Sequence, residues 1–446
     1  MPPPCAAAGP RHAAGRGRHA DAGDAHHRRP RHHARAGQLV AGQSARALPG
    51  NSSALVRDQA SQEILAQRGA TTKRIPASVT KLFTTSSALL LDGADARLTT
   101  ELRIDGEIDE DGVLQGDLIV RGAGDPALRL DQITQLATAA KKAGIERLGG
   151  TLRADLGGWT TQQGTPVTGG IYHSDIGGRI GALVTLRGFA SGGGTDPARQ
   201  VLSRLTAALR AGGLKGSVKI AAPAPSVAGT TVIGKVNSPT IGALIAATNL
   251  PSDNFYAEML LRGLGARHGS AGTTAAGVAV EKAALAKLGV VPSLVDGSGL
   301  ARADRVAPST IVKLLDQMAG RDEGSALRAS MPVAGLSGTL AGRMRGSVAQ
   351  GRCRAKTGTL SNVSALAGYC TTRGGRTVTF AILNNNVNVA SARKRQDRIL
   401  ATIANWTDAA PAAKRSARPA VASRVIARPE PGFSIPAPGS LPGTGD

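Results

Sequence analysis

The sequence predicts a mixed α/β fold in which an antiparallel sheet is flanked by helices and assembled from both ends of the chain. Two short strand patterns precede a helical pattern that begins at Ser78, and three more lie near the end of the chain. These strand patterns span residues 54–56, 64–66, 352–358, 363–370 and 377–383. Because the two groups can pair antiparallel, one sheet accommodates all of them. Helical patterns at residues 240–248, after Tyr256, at 273–288 and at 308–318 supply its flanks.

The middle of the chain has a different pattern, which predicts an inserted α+β module at residues 98–235. Short strand patterns and turn residues alternate there with two amphipathic helical patterns. Residues 51–97 and 236–406 are predicted to form the main domain around this module. Residues 1–50 are rich in Arg and His, residues 407–446 are rich in Pro and Ala, and neither segment has a periodic pattern. Both are predicted to be disordered tails.

The central motif is Ser78-Val79-Thr80-Lys81, at the start of the first helical pattern. Residues i and i+3 are neighbours on a helix, with Cβ atoms about 5–6 Å apart, so Lys81 can reach the hydroxyl of Ser78. A serine hydroxyl needs a base to become a nucleophile. Burial or a second cation lowers the pKa of a lysine and leaves a neutral amine that can act as this base. The spacing therefore suggests nucleophilic catalysis, although a lone Ser-x-x-Lys also occurs at ordinary helix starts.

Two further motifs have the residue types that such a site needs. Ser252 and Asn254 lie in a loop between predicted helices, where a hydroxyl and an amide can both face a cleft. Lys356 and Gly358 lie on the first of the three terminal strand patterns. Lys356 supplies a second cation that keeps Lys81 neutral and attracts a substrate carboxylate, and Gly358 lets a bound peptide lie close to the strand. A helix cap and a solvated strand end are the alternative interpretations of these two motifs.

With these motifs the sequence resembles the D-alanyl-D-alanine carboxypeptidase/endopeptidase branch of the low-molecular-mass (class C) penicillin-binding proteins. The resemblance covers roughly residues 52–406. It extends to residues 122–126, 257–258, 296–300, 338–340 and 355–360. It implies a penicillin-binding protein/serine β-lactamase-like transpeptidase domain with an inserted α+β module. It also implies a serine-type D-alanyl-D-alanine carboxypeptidase, with endopeptidase activity as a further expectation.

The resemblance implies catalytic roles for the motif residues. Ser78 would attack the carbonyl group between the two terminal D-alanines of a peptidoglycan stem peptide, with Lys81 as the base. Ser252 would pass a proton to the leaving amine. The backbone N–H groups of Ser78 and Thr359 would form the oxyanion hole. A β-lactam would acylate Ser78 and stay bound, which makes β-lactams covalent inhibitors.

The resemblance also implies substrate-binding residues. Asn254 would hold a substrate amide, Lys356 and Thr357 would bind the terminal carboxylate, and Gly358 and Thr359 would belong to the strand beside the substrate. Neither a metal ion nor a cofactor is expected.

Two related functions remain as alternatives. A β-lactamase of the same fold would need a base for fast deacylation, usually a glutamate on a loop, and no such element stands at a convincing place. A non-catalytic protein that binds penicillin or muropeptides would have no need of the complete set of catalytic residue types.

The charge of the chain does not indicate a nucleic-acid partner. The first 50 residues contribute +6 to the formal net charge of +23, and residues 407–446 contribute +2, which leaves +15 spread over the body. With two Trp, three Tyr and five Phe there is no stacking platform for single strands, and no helix-turn-helix or zinc-finger spacing is evident. Anionic cell-wall polymers remain a partner class that fits this charge.

Cys353 and Cys370 fall at facing positions of two consecutive strand patterns. A cross-strand disulfide and two buried free thiols both fit this placement. No apolar run reaches the length of about 18 residues that a transmembrane helix needs. The first residues lack the apolar middle of a secretory signal. The implied substrate nevertheless lies outside the membrane, so we expect an extracytoplasmic location, in the cell envelope or secreted.

Overall fold

The structure is a computed structural model that describes residues 48–189, 196–224 and 227–407. Residues 1–47 and 408–446 lie outside the described residues, and with them nearly all of the two tails predicted at residues 1–50 and 407–446. Leu48 is described and is buried in a hydrophobic cluster, so it does not belong to a disordered tail.

The strands of the described residues are β1 (Ser52–Asp58), β2 (Ile64–Arg68), β3 (Arg97–Asp105), β4 (Val113–Leu114), β5 (Asp117–Arg121), β6 (Arg147–Leu148), β7 (Leu152–Asp155), β8 (Gln162–Gln163), β9 (Arg179–Ile180), β10 (Thr231–Thr240), β11 (Cys353–Leu360), β12 (Val363–Thr371) and β13 (Thr377–Asn385). The α-helices are α1 (Lys81–Asp92), α2 (Leu130–Lys142), α3 (Pro197–Ala211), α4 (Ile241–Asn249), α5 (Asn254–His268), α6 (Thr274–Ala286), α7 (Pro308–Ala319), α8 (Gly324–Ala329) and α9 (Val389–Ala404).

The main sheet has five strands in the order β11-β12-β13-β1-β2, and all neighbours are antiparallel. The pairing of β1 with β13 joins the two ends of the chain, which confirms the predicted sheet. Successive side chains of a strand point to opposite faces. Ala381 and Leu383 of β13 accordingly pack in one hydrophobic cluster, whereas Phe380 and Ile382 pack in another. The sheet is therefore buried on both faces.

A second sheet lies between residues 97 and 240, with the strand order β10-β3-β5-β7. Helices α2 and α3 pack on it, and their apolar residues share a hydrophobic cluster of their own with the strands. This α+β arrangement is the one predicted for the inserted module. The exact domain boundaries stay a prediction.

Helix α9 is an element that the sequence analysis missed. Asn388 caps it by accepting a hydrogen bond from the Ser391 N–H (2.9 Å). Ile399, Leu400 and Ile403 pack on one face of the main sheet. The segment is rich in Arg and Lys, so its apolar stripe is short and gives only a weak helical pattern.

Cys353 and Cys370 lie directly opposite each other on β11 and β12 and are joined by a disulfide bond. The structure therefore has the bonded form of the two arrangements that the sequence left open. Within the described ranges, no helix is long and apolar enough to cross a membrane.

Candidate active site

Ser78 lies in a short 3₁₀ turn, Ala77–Thr80, that leads directly into α1. The flanking residues Ala77 and Val79 are fully buried, whereas Ser78 is partly exposed. Ala77 has φ +48°, a left-handed conformation that costs a non-glycine residue about 1–3 kcal/mol. The packing of the turn maintains this conformation, and the turn presents the Ser78 hydroxyl at the surface of an otherwise buried segment.

Lys81 is completely buried, and its Nζ has three oxygen neighbours. They are Ser78 Oγ at 3.0 Å, Asn254 Oδ1 at 2.5 Å and the Ser298 carbonyl oxygen at 2.6 Å. Burial lowers the pKa of Lys81 to about 8, although nearby carboxylates, Asp296 first, act in the opposite direction. The amide and carbonyl oxygens can only accept hydrogen bonds. A neutral amine donates one N–H to each of them, and its lone pair is then left for the Ser78 hydroxyl.

Lys356 is the second buried lysine of the site. Its Nζ donates to Ser252 Oγ (2.7 Å) and to the Thr357 carbonyl oxygen (2.8 Å). Burial lowers the pKa of Lys356 well below its usual range, and the positive charge of Lys81 lowers it further. Ser252 has φ +67°, so the loop before α5 is also in a conformation that non-glycine residues rarely adopt.

The backbone of β11 presents N–H groups at the edge that faces away from β12. The Ala355 N–H donates across this edge to the Pro332 carbonyl oxygen (2.9 Å), and not to β12. Backbone groups of an antiparallel strand alternate in direction with a period of two. The Thr359 N–H therefore points away from β12, as the Ala355 N–H does and as an oxyanion-hole donor requires.

The position of Gly358 corrects the reason that the sequence suggested for this glycine. A Cβ on Gly358 would overlap the Pro76 carbonyl oxygen and lie 3.2 Å from the Ser78 nitrogen. The missing side chain thus lets β11 pack against the turn that carries Ser78, and it does not open space for a bound peptide.

The site residues lie around a cleft of about 760 Å³. Its lining residues are Ser78, Ser174, Asp175, Arg187, Ser252, Asp253, Asn254, Thr339, Gly342, Arg343, Thr357, Thr359 and Arg393. The fully buried Lys81 and Lys356 contact the lining residues Ser78 and Ser252. The structure thus brings the three predicted motifs together, and the roles assigned to their residues stay predictions.

Several groups at the site were given no role from the sequence, although Thr339 lies in a segment, residues 338–340, that the resemblance covers. Thr339 Oγ1 lies 2.8 Å from Thr357 Oγ1, and Arg393 of α9 donates to Thr359 Oγ1 (2.9 Å). The Ser298 carbonyl belongs to a segment that the sequence marked only by resemblance, because a backbone contact leaves no side-chain signal.

Glu258 holds the segment of Ser298 in place. Its Oε1 accepts the N–H groups of Gly297 (3.1 Å) and Ser298 (2.9 Å). Burial first and the charge of Asp296 second raise the pKa of Glu258 to about 7, although the hydrogen bonds from Ser298 and Gly297 act in the opposite direction. This carboxyl group thus fixes the carbonyl oxygen that contacts Lys81.

Comparison with known proteins identifies a family and relatives that match most of the chain. Residues 38–170 and 190–407 match the D-Ala-D-Ala carboxypeptidase 3 (S13) family. The chain is 28% identical to the D-alanyl-D-alanine carboxypeptidase of Actinomadura sp. (strain R39), over 80% of this chain and 81% of the relative. It is 31% identical to carboxypeptidase DacB of Mycolicibacterium smegmatis, over 72% of this chain and 73% of the relative.

The structure also matches a solved one. It superposes on penicillin-binding protein 4 of Haemophilus influenzae with a TM-score of 0.67, over 82% of this chain and 99% of the other. At 22% sequence identity this match shows a shared fold. The extent of the family match shows that the chain belongs to the D-Ala-D-Ala carboxypeptidase 3 (S13) family.

Proposed function

We propose that this chain is a serine-type D-alanyl-D-alanine carboxypeptidase that acts on peptidoglycan stem peptides through a Ser78 acyl-enzyme. The surroundings of Lys81 carry the proposal. Two oxygens that can only accept hydrogen bonds take the two N–H groups of the neutral amine, and its lone pair is left to accept the hydroxyl proton of Ser78, 3.0 Å away. A serine with a buried, neutral amine as its base is an activated nucleophile. The carboxypeptidase relatives support the same conclusion.

Acylation begins when Ser78 Oγ attacks the carbonyl carbon of the penultimate D-alanine. The hydroxyl proton moves to Lys81 Nζ as the C–O bond forms. The carbonyl oxygen becomes an oxyanion, which accepts hydrogen bonds from the N–H groups of Ser78 and Thr359. Such fixed donors stabilise the transition state more than water does, because they need no reorganisation.

Collapse of the tetrahedral intermediate breaks the C–N bond and releases the terminal D-alanine. Its nitrogen needs a proton. Ser252, whose Oγ is held by Lys356 Nζ at 2.7 Å, gives its hydroxyl proton to this nitrogen. The proton that Lys81 took from Ser78 then replaces the one that Ser252 gave, so Lys81 returns to the neutral amine. The hydroxyl of Thr357 and the Nζ of Lys356 hold the terminal carboxylate by hydrogen bonds. Asn254 holds the amide of the substrate with its NH₂ group while its Oδ1 accepts from Lys81.

Water then hydrolyses the ester and restores Ser78. A β-lactam acylates the same oxygen but keeps its leaving group attached, so the adduct is released slowly. Hydrolysis of crosslinks between stem peptides uses the same steps with a larger leaving group, and we include this endopeptidase reaction in the proposal.

The proposed substrate places the working protein outside the cytoplasmic membrane, in the cell envelope or secreted. The charge of +15 on residues 51–406 favours contact with anionic cell-wall polymers, because long-range attraction raises their local concentration.

The test measures the release of D-alanine from a stem pentapeptide that ends in D-Ala-D-Ala. The wild-type protein and Ser203→Ala, whose hydroxyl lies on the exposed side of α3, should release it at equal rates. Ser78→Ala should release none. Absence of release with rapid destruction of penicillin would indicate a β-lactamase, and absence of both reactions would indicate a binding protein.

A further inference from the structure

Among the described residues between β9 and α3, Arg187 lines the active-site cleft. Its guanidinium forms two hydrogen bonds with the Asp253 carboxylate, Nη1 to Oδ2 at 2.6 Å and Nη2 to Oδ1 at 3.2 Å. The Asp253 side chain is 1% exposed and that of Arg187 is 18% exposed. The guanidinium also packs against Phe255 and Tyr256, at 5.3 and 5.9 Å from the ring centroids.

The backbone around Arg187 adopts an unusual conformation. Leu186, Arg187 and Gly188 have φ values of +50°, +58° and +68°, three left-handed residues in succession. Side chains other than glycine rarely adopt this region, and it persists only where the surrounding structure stabilises it. The ion pair between Arg187 and Asp253, with its two hydrogen bonds, is the contact that stabilises this turn.

Asp253 lies between two residues of the site. Its Oδ1 caps α5 by accepting the Tyr256 N–H (2.9 Å). The neighbours Ser252 and Asn254 contact the two buried lysines. A buried carboxylate that loses its cation either moves toward water or takes up a proton, and either change shifts the loop.

We infer that Arg187 is a positioning residue that fixes the Ser252–Asn254 loop against Lys81 and Lys356. This inference rests on the proposed function, and it gives the predicted inserted module a part in acylation. Arg187 contacts none of the reacting groups in this account, so its effect passes through Asp253.

Arg267 provides a matched control at the other end of the same helix. It forms the same kind of two-bond pair, with Asp92, and that carboxylate is 8% exposed. Arg267→Ala therefore removes an equivalent ion pair from α5 without touching the cleft.

The experiment follows acylation of Ser78 by a fluorescent penicillin over a range of penicillin concentrations, with urea unfolding of each variant. In Arg187→Ala the maximal acylation rate should fall by about 10- to 100-fold, because a small misplacement of catalytic groups is sufficient for such a loss. The penicillin concentration that gives half of the maximal rate should change little.

Two further variants serve as controls. Arg187→Lys should recover only part of the rate, since an ammonium group cannot make two parallel hydrogen bonds to a carboxylate. Arg267→Ala should stay within about twofold of the wild type.

The coupling to Asp253 is tested by a double-mutant cycle. The Arg187→Ala and Asp253→Ala losses should be strongly non-additive, because both act on one contact.

Three results would overturn the inference. They are an unchanged maximal rate in Arg187→Ala, an effect of Arg187→Ala only on the half-maximal concentration, and an equal loss of rate in Arg267→Ala. If the wild type is acylated and Arg187→Ala is acylated at the same rate, the inference fails and the proposed function stands. A wild type that is neither acylated nor active refutes the proposed function as well.

Discussion

Lys81 shows how burial can change the chemistry of one residue. An ammonium group inside a protein loses its hydration, and the neutral amine is favoured. The oxygens of Asn254 and Ser298 accept hydrogen bonds from the two N–H groups of the neutral Lys81 amine, and its lone pair points at Ser78. The sequence predicted this pair from a spacing of three residues. It could not predict the Ser298 carbonyl, because that contact depends on how a distant segment folds.

The pH dependence of acylation follows from the lowered pKa of Lys81, about 8. Below this pH the group is protonated and cannot accept the Ser78 proton, and above it the amine is free. Between pH 6 and 9 the rate constant for acylation by penicillin should therefore rise up to about pH 8 and level off above it. A rate that is flat or falls across this range would rule out Lys81 as the base.

Replacing Lys81 by methionine removes the base and keeps the length of the side chain. We expect Lys81→Met to reduce the acylation rate by about 10²- to 10⁴-fold, the usual contribution of general base catalysis. Stopped-flow or gel-based labelling with a fluorescent penicillin measures it. Lys73→Met is the control, since Lys73 is exposed and precedes Ser78 by five residues. Equal rates in both variants would contradict the assignment.

At the scale of elements, β11 and the turn Ala77–Thr80 have to lie in close contact. The periodicity of the sequence predicted β11 and α1, because buried strands and a buried helix have strong patterns. It missed α9, whose charged residues hide a short apolar stripe, and Arg393 with it. The close approach of Gly358 to Pro76 was also invisible, since it joins two segments far apart in the chain.

Gly358→Ala tests this contact. The added Cβ overlaps the Pro76 carbonyl, so β11 must move away from Ser78 and take the Thr359 N–H with it. Acylation should fall by about 10²-fold or more, the loss that follows removal of one oxyanion donor. Gly50→Ala, where a Cβ meets nothing within 4 Å, should leave the rate unchanged. Normal acylation of Gly358→Ala would show that the contact does not position the strand.

The disulfide between β11 and β12 should stabilise the folded protein. It closes a segment with a sequence separation of 17, and chain-entropy arguments give about 3 kcal/mol for a loop of this size. The double variant Cys353→Ala/Cys370→Ala should lose about this free energy of unfolding in urea. Reductant should lower the stability of the wild type to that of the variant. An equal effect of reductant on both proteins would contradict the prediction.

At the scale of the whole molecule, the cleft combines residues from the two ends and the middle of the chain. Ser78, Ser252 and Thr357 each come from a different segment, and Arg187 comes from the predicted inserted module. Short motifs identified the first three, because each has a chemical reason for its residue types. A lone arginine in a loop has no such signature. Its partner is 66 residues away and is reached only through the fold.

The most direct test of the account is to locate the acyl group after reaction with penicillin. The full-length protein is treated with penicillin, digested with trypsin and analysed by mass spectrometry. Because the β-lactam ring opens without losing atoms, the peptide of residues 75–81 should gain the whole mass of the penicillin, and Ser78→Ala should gain none. An adduct on any other peptide, or a protein that stays unmodified, would contradict the central claim that Lys81 activates Ser78 as an acylating nucleophile.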